Sequence, residues 1–286
     1  MKKFALLVNH TKDPGLAVTK AIRDYLNCAG ASCLVPDKRG GQAEGTFLGI
    51  PADTECALTL GGDGTLLTAA QDLFREGLDI PLFGINMGTL GFLTSAEQKD
   101  LPACLDCLLA DKYIVDERRV ITGTVLHEGQ PQMTSPALND IVVARAGYSR
   151  IVDLKIYVNE ELLNLYSADG VIISTATGST GYNLSAGGPI ILPQTDVMVI
   201  SPICPHSLQA RSIIVPGYDE IRVEIGRRSK TQSDEAIATF DGQLAQQMQV
   251  QDCVTVRRAD RTVKILRMPG NGLYRILRHK LGSVNQ

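Results

Sequence analysis

The chain has 286 residues, 44% of them apolar, and a formal net charge of −3 at pH 7. This length allows two substantial hydrophobic cores, and a charge so close to neutral gives no bias toward nucleic acid, so we expect no nucleic-acid partner. The first apolar run, residues 4–8, ends at Asn9, and no other stretch approaches the roughly 20 apolar residues of a membrane span. We therefore expect neither a signal peptide nor a membrane partner.

The seven cysteines are scattered and odd in number, which is poor material for a disulfide framework. Cys104 and Cys107 form a C-x-x-C, but no second pair follows, and both fall in a helical pattern with neighbouring leucines. We interpret them as ordinary thiols and not as a zinc or redox site. A reducing, cytoplasmic location is expected.

The first part of the chain alternates strand and helix signals. Residues 4–8 predict a strand, Asp13-Pro14 is expected to cap a helix, and residues 32–35 predict a second strand. Another apolar run ends at Leu60, and the positions after Asp63 have helical apolar spacing. This order predicts a doubly wound α/β domain.

The motif Gly61-Gly62-Asp63-Gly64 lies where that strand turns into the helix. Glycines let a backbone come close to a polyanion, and the free N–H groups and dipole of a following helix attract phosphate. A carboxylate there repels phosphate unless it ligates a metal ion or removes a proton from an acceptor. The motif therefore points to phosphoryl transfer, with an ordinary tight turn as the alternative.

A second glycine-rich element, residues 84–93, again follows an apolar run. Ligands bind at the carboxyl ends of strands in parallel α/β sheets, so two successive loops of this kind are expected to face one site. The alternative is an ordinary loop with a buried Phe92.

From about residue 113 the pattern changes to short β-rich runs, and long helices nearly vanish. The runs lie at residues 120–126, 140–144, 152–158, 170–174, 197–201, 221–225, 236–240 and 254–256. A mainly β domain is therefore expected after the α/β domain. The amphipathic residues 273–281 predict a final helix with a solvated basic face.

Residues 168–189 pass from an apolar strand core into a turn dense in hydroxyls and glycines. Hydroxyls, backbone amides and the ring of Tyr182 are what a nucleoside needs: hydrogen-bonding partners for ribose and base edges, and a flat face for stacking. A low-complexity linker is the alternative, but the flanking strand signal favours an ordered loop.

In order and spacing these motifs resemble those of the NAD kinases. The matching segments are Gly61-Gly62-Asp63-Gly64-Thr65, Gly88-Thr89-Leu90-Gly91-Phe92-Leu93, Leu138-Asn139-Asp140, Asp169-Gly170, Thr177-Gly178-Ser179-Thr180-Gly181-Tyr182, and Phe240-Asp241-Gly242-Gln243. The segment Pro205-His206-Ser207-Leu208 also looks like a signature of the family. The set spans most of the chain and is more specific than the glycine–aspartate turn, which phosphofructokinases and lipid kinases also carry.

The resemblance implies a kinase that transfers the γ-phosphate of ATP to the 2′-hydroxyl of the adenosine ribose of NAD, giving NADP. Asp63 would be the general base, and Gly64 and Phe92 would contact substrate. A divalent ion such as Mg²⁺ would be carried by the ATP phosphates, without a metal cage in the protein.

The resemblance also implies the domain layout and assembly. An N-terminal α/β domain would cover residues 1–112, and a mainly β dinucleotide-binding domain residues 113–268. The segment 269–286 would form a C-terminal helix that packs back on the first domain. A homodimer or homotetramer is expected.

The same resemblance places Asn139 and Asp140 on the nicotinamide-side ribose, and Asp169 at the nicotinamide end. Asp140, where many relatives have Glu, either accepts ribose O–H bonds or closes a strand as a turn residue, and we favour the first. The adenosine part would be held by Thr177, Thr180, Gly181, Tyr182, Asn183 and Ser185. Gln243 would reach the same pocket, from its own or a neighbouring subunit.

Two positions depart from the family pattern. Gly181 stands where relatives usually have Ala, and glycine loosens the backbone that fixes Tyr182, which bears on ligand affinity. Ser167 stands two residues before Asp169, where bacterial relatives often place Arg or another polar group, which bears on the acceptance of NADH beside NAD.

Two other functions fit parts of the sequence. A lipid kinase of the diacylglycerol-kinase type shares the glycine–aspartate turn, but Asn139-Asp140 and the Tyr182 loop argue against it. A non-catalytic NAD(P)-sensing module would bind the dinucleotide without turnover, and the presence of Asp63 argues against that.

Overall fold

The computed structural model describes residues 1–36, 47, 49–88, 91–146, 151–226, 235–270 and 272–282. The chain divides into two compact units: unit 1, Met1–Glu117 with Val263–Gln286, and unit 2, Arg118–Thr262. Thr89 and Leu90 of the second glycine-rich loop lie outside the described residues, as do residues 271 and 283–286 of the predicted C-terminal segment.

Unit 1 begins with alternating strands and helices. In chain order its elements are β1 (Lys3–Val8), α1 (Ala17–Cys28), β2 (Ser32–Leu34), β3 (Cys56–Gly61), α2 (Asp63–Arg75), β4 (Leu82–Asn86), β5 (Ala96–Glu97) and α3 (Leu101–Leu109). The strands pair in parallel in the order β2-β1-β3-β4-β5. Parallel neighbours need crossover connections, and α1 and α2 supply two of them.

The central strands of unit 1 are buried on both faces. Every residue of β3 and β4 is buried, which explains why both strands show as continuous apolar runs in the sequence. Ile22 and Leu26 of α1 pack in the same core as Leu6, Leu58 and Phe83 of the sheet. The carboxyl ends of β3 and β4 therefore lie side by side, and each leads into a glycine-rich loop.

Unit 2 is built almost entirely of strands. Its elements, with the two long strands that begin or end in unit 1, are β6 (Ile114–His127), β7 (Gln130–Ala137), β8 (Asp140–Arg145), β9 (Val152–Val158), β10 (Glu161–Ala168), β11 (Gly170–Thr175), α4 (Tyr182–Ser185), β12 (Val197–Ile203), β13 (Ile213–Pro216), β14 (Ile221–Ile225), β15 (Ala236–Phe240), β16 (Leu244–Met248) and β17 (Cys253–Arg267). One antiparallel sheet has the order β13-β12-β11-β8-β15-β16. A second contains β10-β9-β14-β17.

A single apolar cluster joins the two sheets of unit 2. Val143 and Ile173 of the first sheet pack in it with Leu154, Val223 and Val254 of the second. These inward residues alternate with more exposed ones along β9 and β14, as expected for sheets that are covered on one face. Sheet packing of this kind fixes the ends of β8 and β11, which carry most of the predicted dinucleotide-binding residues.

The chain returns to unit 1 through the end of β17 and the final helix, α5 (Leu273–Leu281). Ile265 pairs in parallel with Leu82 of β4, and the Ser95 hydroxyl donates to the carbonyl oxygen of Leu266 at 2.7 Å. In α5, Ile276 is buried, and the Lys280 ammonium lies 4.9 Å from the centre of the Phe92 ring. These contacts hold the end of the chain against the second glycine-rich loop.

An N-terminal α/β part followed by a mainly β part confirms the predicted fold class. Within the described ranges, no helix is long and apolar enough to cross a bilayer. Cys104 and Cys107 lie on α3 as free thiols, and burial raises the pKa of the Cys104 thiol to about 11. That thiol therefore stays protonated at neutral pH and is a poor nucleophile.

Candidate active site

Asp63 is the first residue of α2, directly after the turn that ends β3. Gly62 precedes it as an extended N-cap without a side-chain cap, so the helix begins on the glycine motif itself. The N–H of Met87 donates to the Gly61 carbonyl oxygen at 2.7 Å, which ties this turn to the loop after β4. The two glycine-rich loops are thus adjacent, as the sequence predicts.

The Asp63 carboxylate is held by three consecutive backbone amides. The N–H groups of Phe92, Leu93 and Thr94 donate to it with N···O distances of 2.7, 3.2 and 3.1 Å. A Cβ built on Gly91 would lie 1.8 Å from one carboxylate oxygen, so only glycine allows this approach. The second loop therefore fixes the position of the carboxylate that the first loop supplies.

Phe92 is half-buried, and its ring faces the Lys280 ammonium. The sequence also allowed an ordinary loop with a buried Phe92. The structure shows instead a loop whose backbone amides bind Asp63 directly. Neither Gly91 nor the amides of residues 92–94 are evident as Asp63 partners from the sequence, because the two segments lie about thirty positions apart.

In unit 2, Asp241 holds the turn of Leu138 and Asn139 together with the start of β8. Its carboxylate accepts the N–H groups of Leu138, Asn139 and Asp140 at 2.8, 2.7 and 3.0 Å, and its own N–H donates to the Asp140 carbonyl at 2.9 Å. Asp241 has a positive φ of 50°, a left-handed conformation that Asp tolerates better than most residues. The sequence motif contained Asp241, but its positioning role was not predicted.

Asp140 is the first residue of β8 and is only 6% exposed. Burial, together with the charge of Asp241, raises the pKa of the Asp140 carboxyl to about 7. The turn between β7 and β8 is formed by Leu138 and Asn139, so Asp140 opens a strand and does not close one. A buried carboxyl that titrates near neutral pH is characteristic of functional sites, although structural clusters produce it too.

Asn139 lies against the end of β11. Its carbonyl oxygen accepts the N–H of Thr175 at 2.8 Å. Its side-chain Oδ1 is buried without a hydrogen-bond partner among the residues that the structure describes. A Cβ built on Gly181 would lie 3.6 Å from Asn139 Nδ2 and 3.9 Å from Asp140 Oδ2, so the hydroxyl-rich turn is next to both residues.

The loop after β11 is held by hydrogen bonds within it and with neighbouring strands. Asn183 is fully buried, with its amide nitrogen donating to the carbonyls of Ser179 and Pro189 and its oxygen accepting the Ser201 hydroxyl. Thr177 is buried beside Arg118, whose guanidinium lies 3.4 Å from the Thr177 hydroxyl. Thr177 and Asn183, which the family resemblance assigns to ligand contact, therefore fix the position of the loop.

The other members of the predicted adenosine group differ in exposure. Tyr182, at the start of α4, is 46% exposed, so part of this side chain is accessible to a ligand. Thr180 is half-buried and Ser185 is exposed, and the Thr180 hydroxyl lies 3.4 Å from the Thr177 carbonyl. Gln243 is exposed in the turn between β15 and β16, beside Asp241.

Asp169 lies apart from this group. It immediately precedes β11, whereas Thr177 follows the other end of the same strand, so about 20 Å of strand separates them. Its carboxylate forms an ion pair with Arg145 at 2.9 Å, with both side chains roughly one-third exposed. The structure thus brings Asn139, Asp140 and residues 177–185 together within one chain, but not Asp169.

A metal site is not evident among the side chains. Across the described ranges, no group of three or more His, Cys, Asp and Glu residues could hold a metal ion.

Two family models match the chain. The ATP-NAD kinase N-terminal domain matches residues 43–113, and the ATP-NAD kinase C-terminal domain matches residues 138–268. The NAD kinase of Lachnoclostridium phytofermentans is 44% identical over 288 residues, covering 99% of this chain and 100% of that protein. The NAD kinase of Symbiobacterium thermophilum is 38% identical over 288 residues, with the same coverage of both chains.

Two solved structures share the fold. Yeast NADH kinase complexed with NADH has a TM-score of 0.81 at 22% identity, covering 100% of this chain and 89% of that one. An NAD kinase from Archaeoglobus fulgidus in complex with ATP has a TM-score of 0.77 at 23% identity, covering 98% and 99%. The matched domains belong to phosphotransferases of the kinase class. With relatives this similar over nearly its whole length, the chain belongs to the NAD kinase family.

Proposed function

We propose that this chain transfers the γ-phosphate of ATP to the 2′-hydroxyl of the adenosine ribose of NAD, giving NADP, with Asp63 as general base. The observation that supports this most directly is the clamp on Asp63: three amides and the absence of a side chain at Gly91 fix one carboxylate at the start of a helix. Such a fixed carboxylate serves proton abstraction, because phosphoryl transfer depends on positioning more than on covalent chemistry.

Asp63 retains room for a substrate hydroxyl. A carboxylate offers about four acceptor positions, and three of them are occupied by amides. A ribose hydroxyl at the remaining position donates its hydrogen bond to Asp63. Its proton passes to the carboxylate as the oxygen attacks the γ-phosphorus, the bond to the β–γ bridging oxygen breaks, and ADP leaves with that oxygen. Gly64 follows Asp63 in α2 and leaves space beside it for substrate.

Mg²⁺ bound to the ATP phosphates is part of the proposal. Mg²⁺ usually keeps waters and substrate phosphates as ligands and needs only one or two carboxylates from the protein. The three amides and the ribose hydroxyl take up the acceptor positions of Asp63, so the ion would be held by the ATP phosphates and water and not by this carboxylate. When bound, the ion would neutralise the charge that develops on the transferred phosphoryl group.

The dinucleotide would be held by the cluster at the ends of β8 and β11. Asn139 and Asp140 would bind the nicotinamide-side ribose, and the ring of Tyr182 would stack on adenine. Near neutral pH the Asp140 carboxyl is partly protonated, so it can donate to a ribose oxygen as well as accept from a hydroxyl. Thr177, Thr180, Gly181, Asn183, Ser185 and Gln243 complete the proposed binding set.

A homodimer or homotetramer accompanies this proposal. Asp169 is separated from Asn139 by the length of β11, so within one chain it does not reach the nicotinamide end of a dinucleotide bound there. A second copy is the arrangement that allows Asp169 its predicted contact. Analytical ultracentrifugation tests the assembly, and a strictly monomeric active enzyme would exclude the contact.

The location in the cell is also a proposal. A cytoplasmic enzyme fits the seven free cysteines and the need for a supply of ATP. Fractionation of cells that express the full chain, followed by immunodetection, tests this directly.

The experiment that tests the activity measures NADP formation from NAD, ATP and Mg²⁺, with an NADP-specific dehydrogenase as readout. Asp63→Asn should lower kcat by about 100- to 10,000-fold, the range for loss of a general base. Asp24→Asn, on the exposed face of α1, is the matched control and should leave kcat unchanged.

Binding of NAD is measured in parallel by calorimetry, because Asp63→Asn also alters a side chain that anchors a loop. Turnover that collapses while NAD binding survives supports the role of Asp63. If the wild-type chain binds NAD but gives no NADP with ATP or polyphosphate, the kinase proposal fails and the sensing module replaces it.

A further inference from the structure

The side-chain amide of Asn183 is fully buried and is bound by other groups of the protein. Its Nδ2 donates to the carbonyl oxygens of Ser179 and Pro189 at 3.1 and 3.0 Å, and its Oδ1 accepts the hydroxyl of Ser201 at 2.7 Å. The two hydrogens of Nδ2 meet two carbonyl acceptors, which fixes the orientation of the amide. Both amide hydrogens are therefore unavailable to a ligand.

Asn183 holds together the two sides of the loop after β11. Ser179 lies before residues 180–185 and Pro189 lies after them, so the two bonds from Nδ2 restrain both ends of this segment. Gly188 leaves the space that this arrangement needs, because a Cβ built there would lie 2.1 Å from Asn183 Oδ1. Residues 180–185 include most of the proposed adenosine contacts, so their geometry depends on one buried side chain.

Ser201 links Asn183 to the sheet of unit 2. It is fully buried on β12, where it pairs with Ile172 of β11. Its hydroxyl oxygen also lies 2.7 Å from the hydroxyl oxygen of Ser212. Because the Asn183 oxygen can only accept, the Ser201 hydrogen goes to Asn183, and the Ser212 hydroxyl donates to Ser201. The hydrogen bonds therefore run in one direction, from Ser212 through Ser201 to Asn183.

A buried serine in a strand commonly has a structural role alone, with its hydroxyl on a nearby carbonyl. Ser135 of β7 is of this kind, since it is 1% exposed and its hydroxyl lies 3.3 Å from the carbonyl oxygen of the next residue. Ser201 differs, because its hydroxyl donates to a side chain of the loop. Without that donor a fully buried oxygen loses its hydrogen bond, and the loop relieves this cost only by moving.

We infer that Ser201 is a positioning residue for the dinucleotide, which acts through Asn183 by setting the geometry of residues 180–185. The inference rests on the proposed function for the identity of the ligand, but binding of that ligand is measurable without turnover. Ser201 is itself buried, so it affects NAD through the loop and not by contact. Its loss therefore weakens NAD binding, whereas the proton transfer proposed for Asp63 in unit 1 is retained.

The test measures the Kd for NAD by calorimetry, with each substitution made in the full chain. Ser201→Ala should raise this Kd at least about tenfold, because it leaves the buried Asn183 oxygen without its donor. Ser201→Thr keeps the hydroxyl and should bind NAD within about threefold of wild type. Ser212→Ala, at a half-buried position, removes only the donor to Ser201 and should raise the Kd by about threefold. Ser135→Ala, also in unit 2, is the matched control and should leave the Kd unchanged.

Kinetics then separates positioning from general stability. In Ser201→Ala the KM for NAD should rise at least about tenfold, while kcat changes less than about threefold and the KM for ATP less than about twofold, the pattern for lost substrate binding. A hydroxyl with a structural role alone would lower the melting temperature and leave the KM for NAD at the wild-type value. Melting temperatures of all the variants are measured alongside.

The outcomes separate this inference from the proposed function. If no NADP forms but NAD binding weakens in Ser201→Ala and survives in Ser201→Thr, the kinase proposal fails and the positioning role stands. If NADP forms normally and Ser201→Ala keeps the wild-type Kd and KM for NAD, the kinase stands and the inference is overturned. An equal rise of the Kd in Ser135→Ala also overturns it, because general destabilisation of unit 2 would then explain the effect.

Discussion

Each of the two units contains an aspartate whose carboxylate accepts three consecutive backbone N–H groups, but the surroundings of the two aspartates differ. In unit 1 the carboxylate of Asp63 accepts three consecutive amides of residues 92–94, and in unit 2 the carboxylate of Asp241 accepts three consecutive amides of residues 138–140. Both aspartates precede a glycine. In each case one side chain fixes a loop that is distant in sequence.

Asp63 and Asp241 differ in their surroundings. Asp63 starts a helix, and the loop it binds contains no carboxylate among the amide donors. Asp241 sits in a tight turn and holds Asp140, a second and buried carboxyl whose pKa it helps to raise. Under the proposed function, Asp63 is the clamped group that takes part in the reaction, whereas Asp241 positions Asn139 and Asp140.

The largest expected effect comes from Gly91→Ala. The new Cβ would lie 1.8 Å from the Asp63 carboxylate, so the carboxylate must move away from the amides that hold it. A displacement of about 1 Å at a catalytic group costs roughly 100-fold in kcat, and we expect at least this loss of NADP formation. Gly15→Ala, where an added Cβ meets nothing within 4 Å, is the control. Full activity in Gly91→Ala would show that the clamp on Asp63 is dispensable.

Asp241→Asn tests the clamp in unit 2. The amide group replaces one acceptor oxygen with a donor that faces backbone N–H groups, so we expect the free energy of unfolding to fall by about 3 kcal/mol. Urea unfolding followed by circular dichroism measures this. Asp260→Asn, at an exposed position of β17, should change stability by less than about 0.5 kcal/mol. A stability equal to wild type would mean that the turn of residues 138–140 is held by other contacts.

Asp140→Asn should alter how stability depends on pH. The pKa of Asp140 is about 7 in the folded protein against an ordinary 3.8, so the folded state binds more protons than the unfolded chain between those values. The stability that the neutral carboxyl contributes is therefore present at pH 4 and is lost as the pH rises through 7, by a value on the order of 4 kcal/mol.

The variant removes this titration, so its melting temperature should decline less than that of wild type between pH 5 and pH 8. Differential scanning calorimetry at both values, with Asp260→Asn beside it, gives the comparison. Parallel declines in wild type and Asp140→Asn would exclude a raised pKa at this position.

Gly181→Ala has the smallest expected effect. Gly181 has an ordinary φ of −94°, and an added Cβ would lie 3.2 Å from the Gly178 carbonyl oxygen, a tight fit that a small shift relieves. Reduced backbone freedom beside Tyr182 should tighten NAD binding by about threefold. Gly187→Ala is a control in which no gain is expected, because φ is +84° at that position and alanine is strained there. Weaker NAD binding by Gly181→Ala would mean that the contact with Gly178 outweighs the gain.

Much of the fold followed from local patterns. Buried parallel strands such as β3 and β4 show as unbroken apolar runs, and half-buried strands such as β9 alternate, so both are visible along the chain. Asp13 caps α1 as predicted, but from outside the helix: α1 begins at Ala17, and the Asp13 carboxylate accepts the N–H of Thr19 at 2.9 Å. Helix ends depend on such individual hydrogen bonds, which composition does not reveal.

The sequence by itself determined the order of the motifs, the family resemblance and the α/β-then-β architecture, because apolar periodicity and glycine-rich turns are local properties of the chain. Only the tertiary structure decided that Gly91 makes room for Asp63, that Asp241 anchors Asn139 and Asp140, and that Asp169 lies at the far end of β11. These facts depend on which distant segments come into contact, and on the burial that results. The spacing of residues along the chain reveals neither these contacts nor this burial.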